Sequence, residues 1–476
     1  GSDTITTGDG TNAVDAGAGN NTVTTGTGAD SITAGAGNDV INAGDGTNTV
    51  NAGAGNNTVT TGTGADTVTT GNGDNNVNAG SGNNTVTTGT GADSITAGAG
   101  NDVINAGDGN NTVDAGAGNN TVTTGTGADV ITTGDGANNI DTGAGADSVT
   151  TGAGADSIVA GAGNDTVSSG AGDDYIDAGA GADSVVAAAG NDTLVFDAAD
   201  QIIDGGSGNN VLKVNDANVD LTAIANTQLV NIQAIDLTNS TASTLTLGEA
   251  DVAAMLPTGA TTLYIKGDAS DRVVFRDAWQ NTGTSTVDGI TYQVFNRNGL
   301  DVYVQSGLTG SVEILGSTGS DTLQGGSGSD SIDAGEGDNL VNAGAGNDTV
   351  SITTTSNDVD WTNTSTVEVL AVVGAFTSTL GSAASTAGFG RAQLGAVGTV
   401  ENITVGSGFA NDLTVVMAAT GTPDADVVSA AAYTKNLTVQ TANVNGLTGT
   451  YTGGTGSADR IVFDLTSNAI TQANIA

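Results

Sequence analysis

Asp or Asn stands at residue 3 and at every ninth residue after it up to 192. Carboxylates repeated at one spacing suit a single kind of chemistry, the collection of hard cations by oxygen ligands. The acidic members of the series are Asp3, Asp30, Asp39, Asp66, Asp93, Asp102, Asp129, Asp147, Asp156, Asp165, Asp174, Asp183 and Asp192, and the pattern returns at Asp321, Asp330 and Asp348. These are the candidate metal ligands. Other chemistries are poorly supplied. The chain has no Cys and no His, which removes disulfides, His- or Cys-held zinc and every Ser-His-Asp or Cys-His arrangement. No Gly-Lys-Ser/Thr follows any glycine turn, so phosphate-loop chemistry is not indicated. A glycosidase needs a few carboxylates in a concave cleft, and a periodic Asp series is better explained by cation binding. No enzymatic activity is expected.

Charge points the same way. The chain carries 52 acidic and 8 basic residues, a formal net charge of -44. Residues 1–212 hold 26 Asp and neither Glu, Lys nor Arg, so this part alone carries about -26. Such a segment repels itself, and either stays unfolded or folds around cations. Nucleic acid is excluded as a partner for a surface of this sign. No apolar run is long enough to span a membrane as a helix, so no transmembrane segment is expected. The N-terminus has neither an initiator Met nor a signal-peptide pattern, which reads as a fragment or a processed product.

The elements that must position these carboxylates follow from the same period. Gly recurs at every ninth position from Gly8 to Gly179, with a second Gly two residues later, from Gly10 to Gly181. Two residues beyond the second Gly comes Asp or Asn, and two further comes Ile, Val or Leu, from Ile5 to Leu194. Gly-x-Gly permits a tight turn. Asp and Asn tolerate turn geometry and bond locally to backbone. The β-branched residue with its two neighbours makes a short strand. Alternation sends Val23 inward and Thr22 and Thr24 outward, and the next inward position, Thr25, is Ala, Thr or Ser in every unit through residue 178. Two units then close one coil of a solenoid with a strand on each side. At roughly 4.8 Å per coil, about eleven coils would extend about 50 Å.

The unit resembles the nonapeptide Gly-Gly-x-Gly-x-Asp-x-apolar-x of RTX (repeats-in-toxin) proteins, and the full form stands at Gly325-Gly326-Ser327-Gly328-Ser329-Asp330-Ser331-Ile332-Asp333. Residues 1–194 and 316–351 carry the resemblance strongly, and 205–213 and 453–463 more loosely. The first block departs from the family form at its first Gly, which is Ala, Thr or Ser, and by placing Asn at about half of the Asp positions. The resemblance implies an all-β fold, a parallel β-roll (β-solenoid) of nonapeptide repeats with two repeats per coil, followed by β-rich domains and a second short β-roll. It also implies multiple Ca2+ ions between coils, held by turn carbonyls and by the Asp residues of units n and n+2.

Pairing residues 18 apart grades the expected sites. The all-Asp pairs Asp129/Asp147, Asp147/Asp165, Asp165/Asp183, Asp156/Asp174 and Asp174/Asp192 lie at the C-terminal end of the block. Upstream pairs are mostly mixed, and Asn57/Asn75 and Asn120/Asn138 are all-Asn. Neutral carbonyl ligands bind calcium less well than carboxylates, so tight sites are expected in 129–192 and weaker or vacant ones upstream. The competing reading makes Asp and Asn turn formers only, with Asn amides bonding along the stack. Residues 19–46 recur unchanged as 82–109, an offset of seven units. Seven is odd, so the copies should land on opposite sides of the coil, which speaks for length and calcium capacity over a face-specific site.

The expected divisions are a calcium-binding roll at 1–200, a β-rich capping or interaction domain at 201–315, a second short roll at 316–351, and a C-terminal β-rich domain at 352–476 with an RTX-like turn at 453–459. Val195-Phe196 and Ile202-Ile203 read as a cap. Strands are expected at 263–265, 273–275, 292–295 and 302–304, with a helix around 247–256. The alternation of roll and β-domain is similar to RTX-type surface-layer (S-layer) proteins. The resemblance implies a secreted, extracellular protein of a bacterial cell surface that assembles with itself into a lattice, sheath or fibre, with cell-surface polysaccharide as a further candidate partner. The first alternative is the spacer or stalk of a type I secreted RTX adhesin. Ice binding, or the tail of a toxin or enzyme, fits less well: Thr between the glycines occurs only at Thr27, Thr63, Thr90 and Thr126, and no enzymatic domain is recognisable.

Overall fold

The computed structural model describes residues 1–239, 242–306, 308, 313–316, 321–325, 330–334, 339–343 and 348–352, and the backbone of ten strands between 359 and 463. The fold is an all-β parallel solenoid. Each nonapeptide up to 194 forms one strand, usually of three residues, as in Thr4–Thr6, Ala13–Asp15 and Thr22–Thr24. Strands pair in parallel with those two units away, Thr4 opposite Thr22 on one face and Val14 opposite Ile32 on the other. Odd-numbered units therefore build one sheet and even-numbered units the second, as a two-repeat coil requires.

Burial follows the alternation. Val23, Ile41, Val59 and Val77 line the inside of one sheet and Ile32, Val50, Val68 and Val86 that of the other, all within 1% of full burial. Each such side chain contributes roughly 1.5–3 kcal/mol on leaving water. The small inward position completes a thin core. At six of the Thr residues in this position the hydroxyl donates to the carbonyl one coil on, as Thr25 to Ala43 at 2.8 Å and Thr142 to Ala160 at 2.7 Å, whereas the Thr7, Thr70 and Thr133 hydroxyls are buried without a partner. The duplicated segment lies on both sheets, with Val40–Asn42 on one and its copy Val103–Gly107 on the other. The outward Val40 (50% exposed), Val103 (49%) and Val130 (47%) consequently do not form one row.

The chain divides into two compact units, residues 1–215 with 224–236 and 254–260, and the remainder. In the first, stacking continues past the last regular nonapeptide through Ile202–Asp204 and Leu229–Val230 on one face and Val211–Lys213 and Ala234–Asp236 on the other. Phe196 (4% exposed) and Ile203 (0%) supply the larger buried side chains expected of a cap.

In the second unit a parallel ladder runs through Asn218–Asp220, Thr244–Leu247, Arg272–Phe275, Glu313–Leu315, Ser331–Asp333 and Thr349–Ile352, and onward through backbone strands to Arg460–Phe463. The strand expectations hold: Thr262–Lys266, Arg272–Phe275, Ile290–Arg297 and Leu300–Gln305 are strands, and Glu249–Met255 is a helix. Among the described residues the one departure from parallel stacking is a meander, Gln280–Val287, Ile290–Arg297 and Leu300–Gln305, joined by Asp288-Gly289 and Asn298-Gly299 turns whose residues all have positive φ. Phe275, Trp279 and Phe295 pack together here with ring centroids about 5 Å apart (5.2 and 4.9 Å). Arg272 pairs with Glu313, and Arg297 with Glu249 at 2.7 Å. The turn at 453–459, residues 326–329 of the full family form, and the side chains of the 352–476 region lie outside the described residues.

Candidate functional site

Each Asp or Asn of the series sits between its glycine turn and the strand that follows, so stacking the coils stacks these residues into two columns. One column runs Asp3, Asn21, Asp39, Asn57, Asn75, Asp93, Asn111, Asp129, Asp147, Asp165 and Asp183; the other runs Asn12, Asp30, Asn48, Asp66, Asn84, Asp102, Asn120, Asn138, Asp156, Asp174, Asp192 and Asn210. Asp3, in the first coil, is exposed, whereas the twelve later Asp residues are at most 2% exposed. Burial of this many carboxylates without a single basic residue in 1–212 is costly unless something answers the charge.

Half of the answer is backbone. Up to Asp192, and with the exception of Asp183, the amide N–H of each column residue donates to the Oδ1 of the residue 18 further on. Asp129 donates to Asp147 at 2.8 Å, Asp147 to Asp165 at 2.7 Å and Asp165 to Asp183 at 2.7 Å. When the acceptor is Asn the bond lengthens, as in Asp30 to Asn48 at 3.1 Å and Asp66 to Asn84 at 3.0 Å, which fits a carboxylate as the stronger acceptor. The strand spacing thus places Asp n and Asp n+18 in direct succession, the pairing the sequence suggests.

The other half separates Asp from Asn. At Asn57 the carboxamide Nδ2 donates to the carbonyls of Gly53 (3.1 Å) and Gly55 (2.9 Å) in its own turn. Asn12, Asn21, Asn48, Asn75, Asn111, Asn120 and Asn138 make the same pair of bonds to the carbonyls four and two residues earlier. At the all-Asn pairs the amides also bond along the column, Asn57 to Asn75 and Asn120 to Asn138, each at 3.1 Å. An Asp in the same place presents an oxygen where Asn presents an N–H donor. Accordingly the Oδ2 atoms of Asp30, Asp39, Asp66, Asp93, Asp102, Asp129, Asp147, Asp156, Asp165, Asp174, Asp183 and Asp192 are buried without a hydrogen-bond partner. Carbonyl dipoles and a carboxylate oxygen that converge without a donor form a cation's coordination shell.

Acidity records the same strain. Burial, and then the charges of Asp147 and Asp183, push Asp165 up to about 6 against the backbone bond from Asp147. Burial, opposed by the Asp174 amide and helped by the charges of Asp174 and Asp173, likewise pushes Asp192 up to about 6. Asp102, Asp129 and Asp174 shift upward with burial as the leading cause. Burial alone would raise Asp30, but the nearby Thr25 hydroxyl, together with the Asn12 amide and side chain that both donate to its Oδ1, carries it down.

The glycines make the close stacking possible. Gly181 has φ of +155°, and a Cβ there would lie 1.4 Å from the Gly163 carbonyl oxygen and 2.9 Å from Asp183 Oδ1. A side chain would fill the space between coils that a cation would take.

In the second roll the Asp330 amide donates to Asp348 Oδ1 at 2.8 Å with both residues buried, and Asp321 lies on the opposite strand stack. Among the described residues no three His, Cys, Asp or Glu side chains gather as a metal cluster. Two residues escape the nine-residue reading. Asp271 takes the column role for the second unit, accepting from the Ser243 amide at 2.9 Å, but its Oδ2 is satisfied by the Asp268 amide at 2.8 Å. Asp200, outside the register, is buried with both oxygens unpartnered.

The residues fit Ca2+. The Asp columns and the turn carbonyls beneath them would hold it, and the ion would supply the positive charge that these buried oxygens lack. No curated protein matches the chain. A family model for the RTX calcium-binding nonapeptide repeat matches at residues 1–23, 24–59, 51–86, 87–122, 114–149, 123–158, 159–194 and 315–350. The stacked turns, the buried Asp columns and these matches together make the chain an RTX repeat protein, of a family that binds calcium through this nonapeptide.

Proposed function

We propose that the chain is a calcium-dependent structural protein of a bacterial cell surface, which folds outside the cell and assembles with itself into an S-layer-like lattice, sheath or fibre. The observation that carries the reading is the row of partnerless Oδ2 atoms in a segment without bases. Where calcium is scarce, the Asp coils are opposed by their own charge. Where it is abundant, binding to the folded state alone adds stability and drives the coils together. The fold supports a structural role over a recognition role: the duplicated segment presents the same surface on opposite sheets, which extends the rod without preserving one face. That same observation favours an adhesin spacer as the second reading. The test is negative-stain electron microscopy of the purified chain in millimolar calcium and in excess chelator. Ordered sheets or fibres that form only with calcium support the lattice reading. Isolated rods at every concentration would replace it with the spacer.

A further inference from the structure

The two Asp/Asn columns end differently at the C-terminal side of the first roll. One ends on an amide: Asp192 N–H donates to Asn210 Oδ1 at 2.9 Å, and Asn210 Nδ2 is satisfied by the Asn231 carbonyl at 3.0 Å. The other reaches Asp183, whose register partner 18 residues on is Gln201. Gln201 does not enter the column. Its side chain is exposed and its Nε2 donates to the Ala182 carbonyl at 3.3 Å.

The neighbouring residue points inward instead. The segment before it is a tight turn in which Asp197 Oδ1 accepts the Ala199 amide at 2.9 Å and the Asp197 carbonyl accepts the Asp200 amide at 3.3 Å. This turn buries Asp200 to 4% exposure, and neither of its carboxylate oxygens has a hydrogen-bond partner. Beside it stands Asp183, fully buried, with its Oδ1 taken by the Asp165 amide and its Oδ2 unpartnered. Three buried oxygens without a hydrogen-bond partner, Asp183 Oδ2 and both of Asp200, thus lie at the end of the stack, where the Asp183 charge acts on Asp200. Burial first, and then the Asp183 charge, push the Asp200 carboxyl up, opposed by the nearby Asp183 backbone amide. An amide at 200 would have relieved this, as Asn210 does on the other column.

We propose that Asp183 and Asp200 together hold a further Ca2+ ion that fastens the end of the first roll, at a site outside the nonapeptide register. It differs from the repeat sites in having two carboxylates whose free oxygens converge from adjacent chain segments, and added ligand charge tightens calcium binding. The site rests on the reading of the roll as calcium-loaded, and the experiment keeps the two apart.

The full chain is titrated with calcium, bound metal is counted by elemental analysis after equilibrium dialysis, and amide hydrogen exchange is followed over residues 196–204. Wild type should gain protection over 196–204 on adding calcium. Asp200→Asn should bind one ion fewer per chain and lose that response. In chelator its 196–204 segment should exchange no faster than wild type, because the variant removes a buried charge. A purely packing role for Asp200 would instead weaken the segment with and without calcium. Wild type that binds calcium but shows no response over 196–204, or Asp200→Asn with an unchanged metal count, overturns the site and leaves the pair sharing a proton. Wild type that binds no calcium at all overturns the reading of the roll itself.

Discussion

Coils bearing the column residues 12–138 and coils bearing 147–192 share one backbone and one hydrogen-bonding register, yet they satisfy their turns by different means. Upstream, eight Asn residues each spend both amide protons on the carbonyls of their own turn. Asp residues alternate among them, so most carboxylates have neutral neighbours in the column. Downstream, Asp147, Asp165 and Asp183 follow one another without interruption, as do Asp156, Asp174 and Asp192. Every Oδ2 there lacks a donor, and each buried charge faces another. An asparagine carboxamide is in effect a built-in substitute for the cation: it brings its own partial positive charge to the carbonyls and needs no ligand. The comparison teaches that one solenoid can mix self-satisfied turns with ligand-requiring ones, and crowd the latter into one stretch, by the choice of a single atom per unit.

The largest expected effect is calcium removal. Hydrogen exchange in chelator should accelerate first and most over 147–194 and least over the Asn-rich coils around 48–84. Each site contributes roughly 2.7 kcal/mol at a hundredfold excess of free calcium over Kd, so several lost sites exceed the stability of an ordinary domain. Equal acceleration along the roll would remove the distinction. Exchanging the two chemistries comes next. Asp147→Asn with Asp165→Asn should lower the bound-calcium count and raise the melting temperature in chelator. Asn57→Asp with Asn75→Asp should lower that temperature and restore it when calcium is added. Both are read by thermal melts with and without metal, and opposite signs would contradict the role given to the carboxamides. Asn120→Ala should cost about 1–3 kcal/mol whether or not calcium is present, since it orphans two carbonyls, and a calcium-dependent cost would show that this turn too holds an ion.

The smallest effect is on pH. Asp165 and Asp192 have folded pKa values near 6, above their unfolded values, so their contribution to stability is fully present below the unfolded pKa of about 3.9 and is lost as pH rises through about 6. In chelator the denaturation midpoint should therefore fall between about pH 4 and pH 7. A flat or rising profile would mean that these carboxylates are better solvated than their burial implies.

Much of this was legible in the chain itself. A strict period of nine, with glycines, a turn-forming Asp or Asn and one β-branched residue, leaves only one regular way to bury the apolar row. Sheet assignment, inward Val23 and Ile32 and the opposite placement of the duplicated segment followed from counting. The strands beyond residue 260 were equally readable, because runs such as Leu263-Tyr264-Ile265 carry strong β-propensity. Sequence also separated Asp from Asn positions as stronger and weaker ligands, and offered Asn amides bonded along the stack as the competing reading, but not the bonds of those amides to their own turns.

What the amide protons do instead was decided by the tertiary structure. The carbonyls of Gly53 and Gly55 converge on Asn57 only once the turn has closed. Asp200 shows the same limit. By register it is the wrong residue, and only the turn at 197–200 swings it against Asp183. Periodicity fixes which residues share a column, because backbone hydrogen bonds repeat with the chain. It does not fix which buried atom is left without a partner, because that depends on every group folded around it.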